Sequence, residues 1–265
     1  MKVDVLGVKG DKTGSIDLPE QFGEQFRPDL INRAAVAVAS SRVHPYGAHP
    51  DAGKRASAKV SRRRRNYRGS YGLGISRVPR KVLSHRGTRF NWVGAFAPGT
   101  VGGRPAHPPI AGKVREKFIN DSERRKAIRC AFSASMIKDV VGKKHELPAN
   151  YPFAVSGDVE SVSKTKDFIS ALKSWGLSDE LERAGERRLR AGRGKYRGRV
   201  HKVKIGPLVV VSKACALEKL RNIPVDVVEV KRVNALDLAP GCNAGRLVLF
   251  TDSSLKVMKE EKLFM

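Results

Sequence analysis

Acidic residues are nearly absent from one long stretch of this chain. Residues 45–112, called the basic segment below, contain fourteen Lys or Arg residues and one acid, Asp51. They also contain seven prolines and eleven glycines. Such a composition buries too little apolar surface to offset the conformational entropy lost on folding. We therefore expect the basic segment to lack regular secondary structure of its own and to become ordered on a polyanionic partner.

Long apolar runs and paired cysteines are missing as well. The longest apolar run, residues 34–39, is far shorter than the roughly 18 residues that a membrane-spanning helix needs. Acids near the start and the lack of an apolar stretch there argue against a signal peptide. The cysteines show no CxxC spacing, which predicts reduced thiols in a cytosolic protein; they are Cys130, Cys215 and Cys242.

Motifs for catalysis or metal binding are also absent. Gly10-Asp11-Lys12-Thr13 resembles the end of a phosphate-binding loop, but Asp11 stands where glycine is required, so a hairpin turn is predicted. The six histidines form no HExxH motif and no Cys/His pair at metal-site spacing. No serine lies in a GxSxG elbow. We predict a protein that is not an enzyme and has no cofactor or metal site.

The rest of the sequence has the pattern of an α/β domain. Alternation over residues 3–18 predicts two strands and a turn, and apolar runs predict strands at Leu208–Val211, 225–230 and 247–250. Helices are predicted from Pro28, over 120–141 with Asn120 and Glu123 as a capping box, over 164–175 and over 253–261. The predicted fold class is α/β, a mostly parallel sheet with helices on both faces. Residues 1–44 and 113–265 would form this globular domain, and residues 45–112 a long extended basic loop inserted in it.

The charge of the whole chain points to nucleic acid. Fifty-two basic residues against 26 acids give a net charge of +26, which favours polyanion binding through counterion release. The basic segment prefers Arg, eleven to three Lys, and Arg binds phosphate in a bidentate manner. Interleaved aromatic rings suit stacking on unpaired bases, which favours RNA of fixed tertiary shape; they are Tyr46, Tyr67, Tyr71, Phe90, Trp92 and Phe96.

A second basic stretch lies at residues 187–199, with seven cations, three glycines and no acid. We interpret it as a loop at the sheet edge that contacts the phosphate backbone; a merely solvated loop is the alternative. Two predicted sets of RNA-binding residues follow. The first is Lys54, Arg55, Lys59, Arg62, Arg63, Arg64, Arg65, Arg68, Arg86, Arg89, Arg104, Lys113 and Arg115; the second is Arg187, Arg188, Arg190, Arg193, Lys195, Arg197 and Arg199.

Several short motifs in combination resemble one known family over essentially the whole chain. The chain is similar to the ribosomal large-subunit L-four family in its archaeal form. The motifs are Ser76-Arg77-Val78-Pro79-Arg80, Gly94-Ala95-Phe96, the run from Gly102 to Pro109, Arg125 to Arg129, Arg190 to Lys195, Leu220 to Pro224, and Leu236 to Gly241 with Gly245-Arg246.

The resemblance implies a specific role. The α/β domain would lie on the outer face of the large ribosomal subunit, in the cytoplasm, and the basic loop would run inward through large-subunit rRNA. The loop tip, Arg77, Val78, Pro79 and Arg80, would line the peptide exit tunnel at its constriction. Its partners would be rRNA, neighbouring ribosomal proteins including L-twenty-two, and the nascent polypeptide, with no membrane. From the residues alone, an RNA-modifying or nucleotide-binding enzyme and a free nucleic-acid-condensing protein stay open.

Overall fold

The computed structural model describes residues 1–52 and 58–265. These residues form two compact units. Met1–Arg42 and Glu116–Met265 make up one unit, called the body below, and Val43–Arg115 make up the other, called the arm. Within the described ranges, no helix has both the length and the apolar character needed to cross a membrane.

The body contains both helices and strands. Its strands are β1 (Lys2–Leu6), β2 (Lys12–Asp17), β5 (Phe153–Val155), β6 (Arg187–Leu189), β7 (His201–Val203), β8 (Leu208–Val211), β9 (Asp226–Glu229) and β10 (Val248–Phe250). Its α-helices are α1 (Pro28–Ser41), α2 (Asp121–Met136), α3 (Lys138–Val141), α4 (Thr165–Ser174), α5 (Ser178–Gly185), α6 (Ala235–Leu238) and α7 (Asp252–Glu260). The arm contains β3 (Arg80–Arg86) and β4 (Arg89–Gly94).

The strands of the described chain form several small sheets. One sheet has the order β2-β1-β5, in which β1 is antiparallel to β2 and parallel to β5. Another sheet, with the order β10-β8-β9, is parallel throughout. A parallel bridge joins Val155, the last residue of β5, to Thr251, the residue after β10. The pairs β3–β4 and β6–β7 are antiparallel. The α/β class is confirmed, but the predicted mostly parallel sheet is not. Short connections join β1 to β2, β3 to β4 and β6 to β7, and such connections permit antiparallel pairing alone.

Strand β8 is buried on both faces, as its continuous apolar run predicted. Leu208 and Val210 pack in an apolar cluster with residues of α1 and α2, whereas Val209 and Val211 pack in a second cluster with residues of α4. All four side chains are at most 1% exposed. Each contributes about 1.5–3 kcal/mol by leaving water. The body therefore has apolar layers on both sides of this strand.

The helix predicted over residues 120–141 is two helices. At Ile137 the backbone is extended, with φ −88° and ψ 107°, and this separates α2 from α3. Asn120 is the N-cap residue, but its side chain accepts no capping hydrogen bond, so the predicted capping box is wrong. The Glu123 carboxylate lies 3.4 Å from the Arg33 guanidinium instead. An ion pair to the neighbouring helix α1 has replaced the local contact that the sequence pattern predicted.

The arm has a regular element that the sequence analysis did not predict. Strands β3 and β4 form an antiparallel hairpin in which Arg86 is paired with Arg89 across the turn Gly87-Thr88. Gly87 has φ +57°, a left-handed conformation that glycine adopts without steric cost. Ser70 and Ala95 are buried. The expectation of a segment without secondary structure is therefore wrong for this part of the arm.

The turn before β2 is a hairpin turn, as predicted. Gly10 has φ +88°, and a Cβ at this position would lie 2.6 Å from the carbonyl oxygen of Ser174. The Gly7 amide donates to the Asp11 carbonyl at 2.8 Å, which closes the turn. The glycine therefore serves the turn and its contact with the end of α4.

Candidate nucleic-acid interface

The second basic stretch of the sequence folds as a hairpin in the body. Strands β6 and β7 pair antiparallel, with Arg187 opposite Val203 and Leu189 opposite His201. A 3-10 helix over Arg193–Arg197 connects them, between glycines 192 and 198, whose φ values are +78° and +77°. We call residues 187–203 the basic hairpin. The stretch predicted as a loop at the sheet edge is instead a separate hairpin, whose two strands are exposed and pair with each other.

Part of the charge in the basic hairpin is engaged within the protein. Glu186 accepts from Arg188 at 2.9 Å and forms an ion pair with Lys204 at 2.7 Å. Hydrogen bonds from Arg188 and Lys204 lower the pKa of Glu186 to about 2. Arg190 donates to the carbonyl oxygens of Arg199 and His201, at 3.1 and 3.4 Å. Arg188 and Arg190 therefore help to shape the hairpin in addition to any role toward a ligand.

The other cations of the basic hairpin face solvent. Arg187, Arg193, Lys195, Arg197 and Arg199 are all exposed. Tyr196, between two of them, is 82% exposed, and the Lys195 amino group lies 5.4 Å from its ring centroid. This surface presents a ring and several cations without a nearby acid in the same stretch. It suits a ligand that has both phosphate and unpaired bases.

The predicted basic residues of the arm are mostly exposed too. Lys54 and Arg55 lie outside the described residues. Arg104 and Arg115 are half-buried, and the exposed ones are Lys59, Arg62, Arg63, Arg64, Arg65, Arg68, Arg86, Arg89 and Lys113. The four consecutive arginines lie in a loop that a β-bridge between Ser61 and Gly69 closes. The fold thus places these four guanidinium groups in one short loop.

Several arginines of the arm stack on its own aromatic rings. The Cζ atom of Arg115 lies 4.0 Å from the ring centroid of Tyr46, and that of Arg68 lies 5.5 Å from the centroid of Tyr67. Arg115 also donates to the Tyr46 and Ile110 carbonyls, at 3.0 and 3.2 Å. Exposed cation–π contacts contribute about 0.5–1 kcal/mol each. Arginine and aromatic residues therefore hold the arm in shape, a role that composition did not predict.

The residues predicted as the loop tip precede and begin the hairpin of the arm. Arg77 is exposed, donates to the Tyr71 hydroxyl at 3.2 Å and lies 5.1 Å from that ring. Arg80 donates to the carbonyl and hydroxyl oxygens of Ser76, at 2.6 and 2.8 Å, while Val78 and Pro79 are half-buried between them. The two guanidinium groups thus have different partners: that of Arg77 lies against the half-buried Tyr71 ring, and that of Arg80 closes the bend before β3.

Buried ionisable groups of the body form hydrogen bonds and ion pairs within the protein. The Glu180 carboxylate, fully buried, accepts from Arg183 at 2.7 Å and from the Glu146 amide at 3.0 Å, and lies 2.7 Å from His145 Nδ1. Burial raises the pKa of Glu180, but the bonds from Arg183 and His145 outweigh it, so the pKa is lowered. Arg183 also donates to the Ile205 carbonyl at 2.7 Å. The cluster joins α5 to two loops, and its carboxylate and guanidinium are bonded within the protein.

Another carboxylate, that of Glu160, lies at the carboxyl ends of the parallel strands. This is the edge at which α/β sheets bind ligands. Glu160 accepts from the amide and hydroxyl of Ser212, at 3.0 and 2.6 Å, and from the Thr251 hydroxyl at 2.7 Å. Ser212 follows β8 and Thr251 follows β10. An anionic ligand would meet this negative charge, so the edge does not suit a phosphate. Among the described residues, no group of His, Cys, Asp and Glu is placed to hold a metal ion.

Some exposed cations were not selected by the sequence analysis. Lys81 lies on β3, Lys202 on β7 and Lys204 just beyond it. They belong to the two hairpins, and recognising those hairpins from the chain would have identified them. The fold and these surfaces define a strongly basic α/β protein with two exposed cationic regions, one on the body and one on the arm.

Comparisons with known proteins identify the family. The family model described as Ribosomal protein L4/L1 family matches residues 16–261. The large ribosomal subunit protein uL4 of Nanoarchaeum equitans is 42% identical over 268 residues, covering 100% of both chains. The uL4 proteins of Methanosphaera stadtmanae and Archaeoglobus fulgidus are 38% and 40% identical, covering 96% and 98% of this chain and 95% and 99% of their own lengths. The chain belongs to the ribosomal protein L4/L1 family, and the resemblance inferred from its motifs is confirmed. Membership of a family of ribosomal proteins also agrees with the prediction that it is not an enzyme.

Proposed function

We propose that this protein is a structural constituent of the large subunit of the cytoplasmic ribosome and binds large-subunit rRNA through the basic hairpin and the arm. The observation that carries the proposal is the pair of exposed cationic surfaces in a member of a ribosomal-protein family. Most of the cations in these surfaces are exposed, and phosphate is the ligand that arginine forks fit best. Neighbouring ribosomal proteins would be its other partners.

We further propose that the arm extends to the constriction of the peptide exit tunnel, opposite L-twenty-two, where Arg77, Val78, Pro79 and Arg80 face the nascent polypeptide. The support is the family resemblance together with the geometry of the two arginines. The Arg80 guanidinium has three acceptors within the arm, whereas the exposed Arg77 has one, the Tyr71 hydroxyl. Arg77 is then the cation that can turn toward the lumen and set the local potential.

Removing charge from the basic hairpin tests the rRNA-binding proposal. Replacing Arg193, Lys195, Arg197 and Arg199 by Ala removes four exposed cations. If all four contact phosphate, the slope of log K against log salt flattens by about 3, at roughly 0.7–0.9 for each contact. The measurement is filter binding of large-subunit rRNA fragments over a salt series.

A matched control carries the same change in net charge elsewhere on the body. It replaces the exposed lysines Lys143, Lys166, Lys173 and Lys259 by Ala. The control keeps the parent slope if the hairpin binds phosphate, and equal slopes for the two variants argue that the hairpin is merely solvated. Sedimentation of the parent with large subunits, rather than with bulk nucleic acid, separates a ribosomal constituent from a free condensing protein.

Reversing the charge of Arg77 tests the tunnel proposal. Arg77→Glu is expected to leave subunit assembly near normal and to change ribosome pausing on basic nascent segments, because the altered charge faces the passing chain. Ribosome profiling compares the variant with the parent and with Lys113→Glu, an equal change at another exposed site of the arm. An assembly defect without altered pausing would place Arg77 within RNA and end the tunnel assignment for this residue.

A further inference from the structure

A cleft in the arm combines positive charge with aromatic rings. It has a volume of about 680 Å3 and is bounded by residues 58–61, residues 67–68 and the hairpin β3–β4. This size is within the roughly 300–1,000 Å3 of sites that bind small molecules. No carboxylate is among its lining residues, of which six matter here: Lys59, Arg68, Arg80, Lys81, Tyr67 and Trp92.

The rings of the cleft are held in place by one another. Tyr67 packs edge-on against Phe90, with centroids 5.3 Å apart, and Phe90 stacks on Trp92 at 4.9 Å and an interplanar angle of 20°. Tyr67 is nevertheless 60% exposed. A ring that neighbours already hold loses little more freedom when a ligand stacks on it, so less affinity is lost to ordering.

One of the four cations that line the cleft is bonded within the arm, and the other three are exposed to solvent. Arg80 is bonded to Ser76, as described above. Lys59, Arg68 and Lys81 are exposed, and Arg68 lies beside the Tyr67 ring. The one acid in the sequence of the arm, Asp51, is not part of the lining. The charge therefore selects an anion and the rings select a planar group.

We infer that this cleft binds one unpaired nucleotide of an RNA strand, with its base against the exposed Tyr67 ring in the neighbourhood of Trp92 and its phosphate beside Lys59 and Lys81. The inference rests on the proposed function, which it deepens by naming the part of the RNA that this site takes. Unpaired nucleotides supply both the exposed π-face and the phosphate, whereas a duplex hides its base faces. An acidic peptide would match the charge but supply no base.

Tryptophan fluorescence reports on this cleft selectively. The chain has two tryptophans. Trp92 is half-buried in the cleft, while Trp175 is 4% exposed and donates its indole N–H to the Gly7 carbonyl at 2.8 Å. Titration of the full chain with a single-stranded RNA of about ten nucleotides is expected to quench the Trp92 emission. A blunt duplex of the same length is expected to bind without this quenching, and AMP tests whether a free nucleotide suffices.

Substitutions separate stacking from charge. Tyr67→Ala is expected to weaken the binding that causes quenching at least about fivefold, the low end for loss of one stacked base, whereas Tyr67→Phe retains it within twofold. An unchanged emission of the unliganded Tyr67→Ala variant shows that the cleft persists. Trp92→Phe removes the signal itself.

A charge-matched pair isolates the phosphate contact. Lys59→Ala with Lys81→Ala is expected to weaken the quenching more than Lys166→Ala with Lys173→Ala, two exposed lysines of α4. Equal quenching by single strand and duplex, unaltered quenching in Tyr67→Ala, or a response to an acidic peptide in place of RNA would overturn the inference. If the parent protein binds rRNA in a salt-dependent manner but its tryptophan emission is not quenched, the nucleotide site in the cleft is rejected and the proposed function stands. If the parent protein does not bind rRNA at all, the proposed function itself is rejected.

Discussion

The body and the arm are stabilised in different ways. The body has two apolar clusters with fully buried members such as Phe132 and Phe250. In the described part of the arm, Ser70 and Ala95 alone are buried, and contacts between arginines and rings take the place of a core. A buried Phe contributes about 1.5–3 kcal/mol, and an exposed cation–π pair about 0.5–1 kcal/mol. We therefore expect the body to keep its conformation alone and the conformation of the arm to depend more strongly on what it binds.

A matched pair of phenylalanine substitutions should separate the two regions most clearly. Phe250 is 1% exposed, with ring centroids 5.1 and 5.7 Å from Phe22 and Phe132. Phe250→Ala should lower the free energy of unfolding by about 3–5 kcal/mol because it leaves a cavity in the core. Phe90→Ala, in the arm, should change it by less than about 0.5 kcal/mol. Urea unfolding followed by circular dichroism measures both, and similar losses would remove the distinction.

The buried carboxylate of Glu180 should give the next largest effect. Glu180→Gln should cost about 3 kcal/mol, since it leaves the partly buried Arg183 without its anion. The pKa of Glu180 is lowered on folding, so its contribution is complete above the ordinary Glu value of 4.5 and is lost as the pH falls below that value toward the lowered one.

The pH dependence of unfolding checks this expectation. The parent should lose stability below about pH 4.5 more steeply than the variant. Glu182→Gln, an exposed change on the same helix, is the control and should keep the parent profile. Parallel profiles for parent and Glu180→Gln would show that other carboxylates dominate acid unfolding.

The sequence predicted the elements that are buried and regular. Strand β8 and helix α4 follow from apolar runs and spacing, which burial imposes directly. The hairpins β3–β4 and β6–β7 were missed because most of their residues are exposed and cations are frequent in β3, β6 and β7. In β4 the alternation is limited to the half-buried Phe90 and Trp92. The break at Ile137 was missed because it interrupts a pattern that is helical on both sides.

The candidate site was predictable in charge but not in arrangement. The excess of Arg over acid identifies a polyanion-binding segment without any structure. The stacking of Arg115 on Tyr46 requires the chain to return after 69 residues, and local patterns have no information on that. Glu180 and His145 likewise meet across 35 residues. Contacts of this kind depend on the tertiary path of the chain.

Proteolysis should distinguish arm from body by rate. Trypsin should cut RNA-free protein first between Lys54 and Arg104, because the sequence of this stretch is rich in basic sites and its described residues have few buried side chains. Bound rRNA should slow these cuts, and gel electrophoresis with mass spectrometry identifies them. Cleavage within α2 or α4 at a comparable rate would show that the arm is no less stable than the body.

Deletion of part of the arm should have a small effect on the stability of the body. A chain without residues 69–99, which include the hairpin β3–β4, should retain one cooperative unfolding transition with a free energy within about 1 kcal/mol of the parent, because both apolar clusters consist of body residues. Thermal and urea unfolding measure this. Loss of the cooperative transition would show that the arm contributes to the core.

A hydrogen bond connects the place where the chain leaves the body to the place where it returns: the Lys117 amide donates to the Ser40 hydroxyl at 2.9 Å. Helices α1 and α2, which flank the insertion, also share an apolar cluster. Contacts of the body thus hold the two sides of the insertion point together without the arm. We expect the body to accept other segments in place of the arm, which would make it a scaffold that presents an inserted loop by both of its ends.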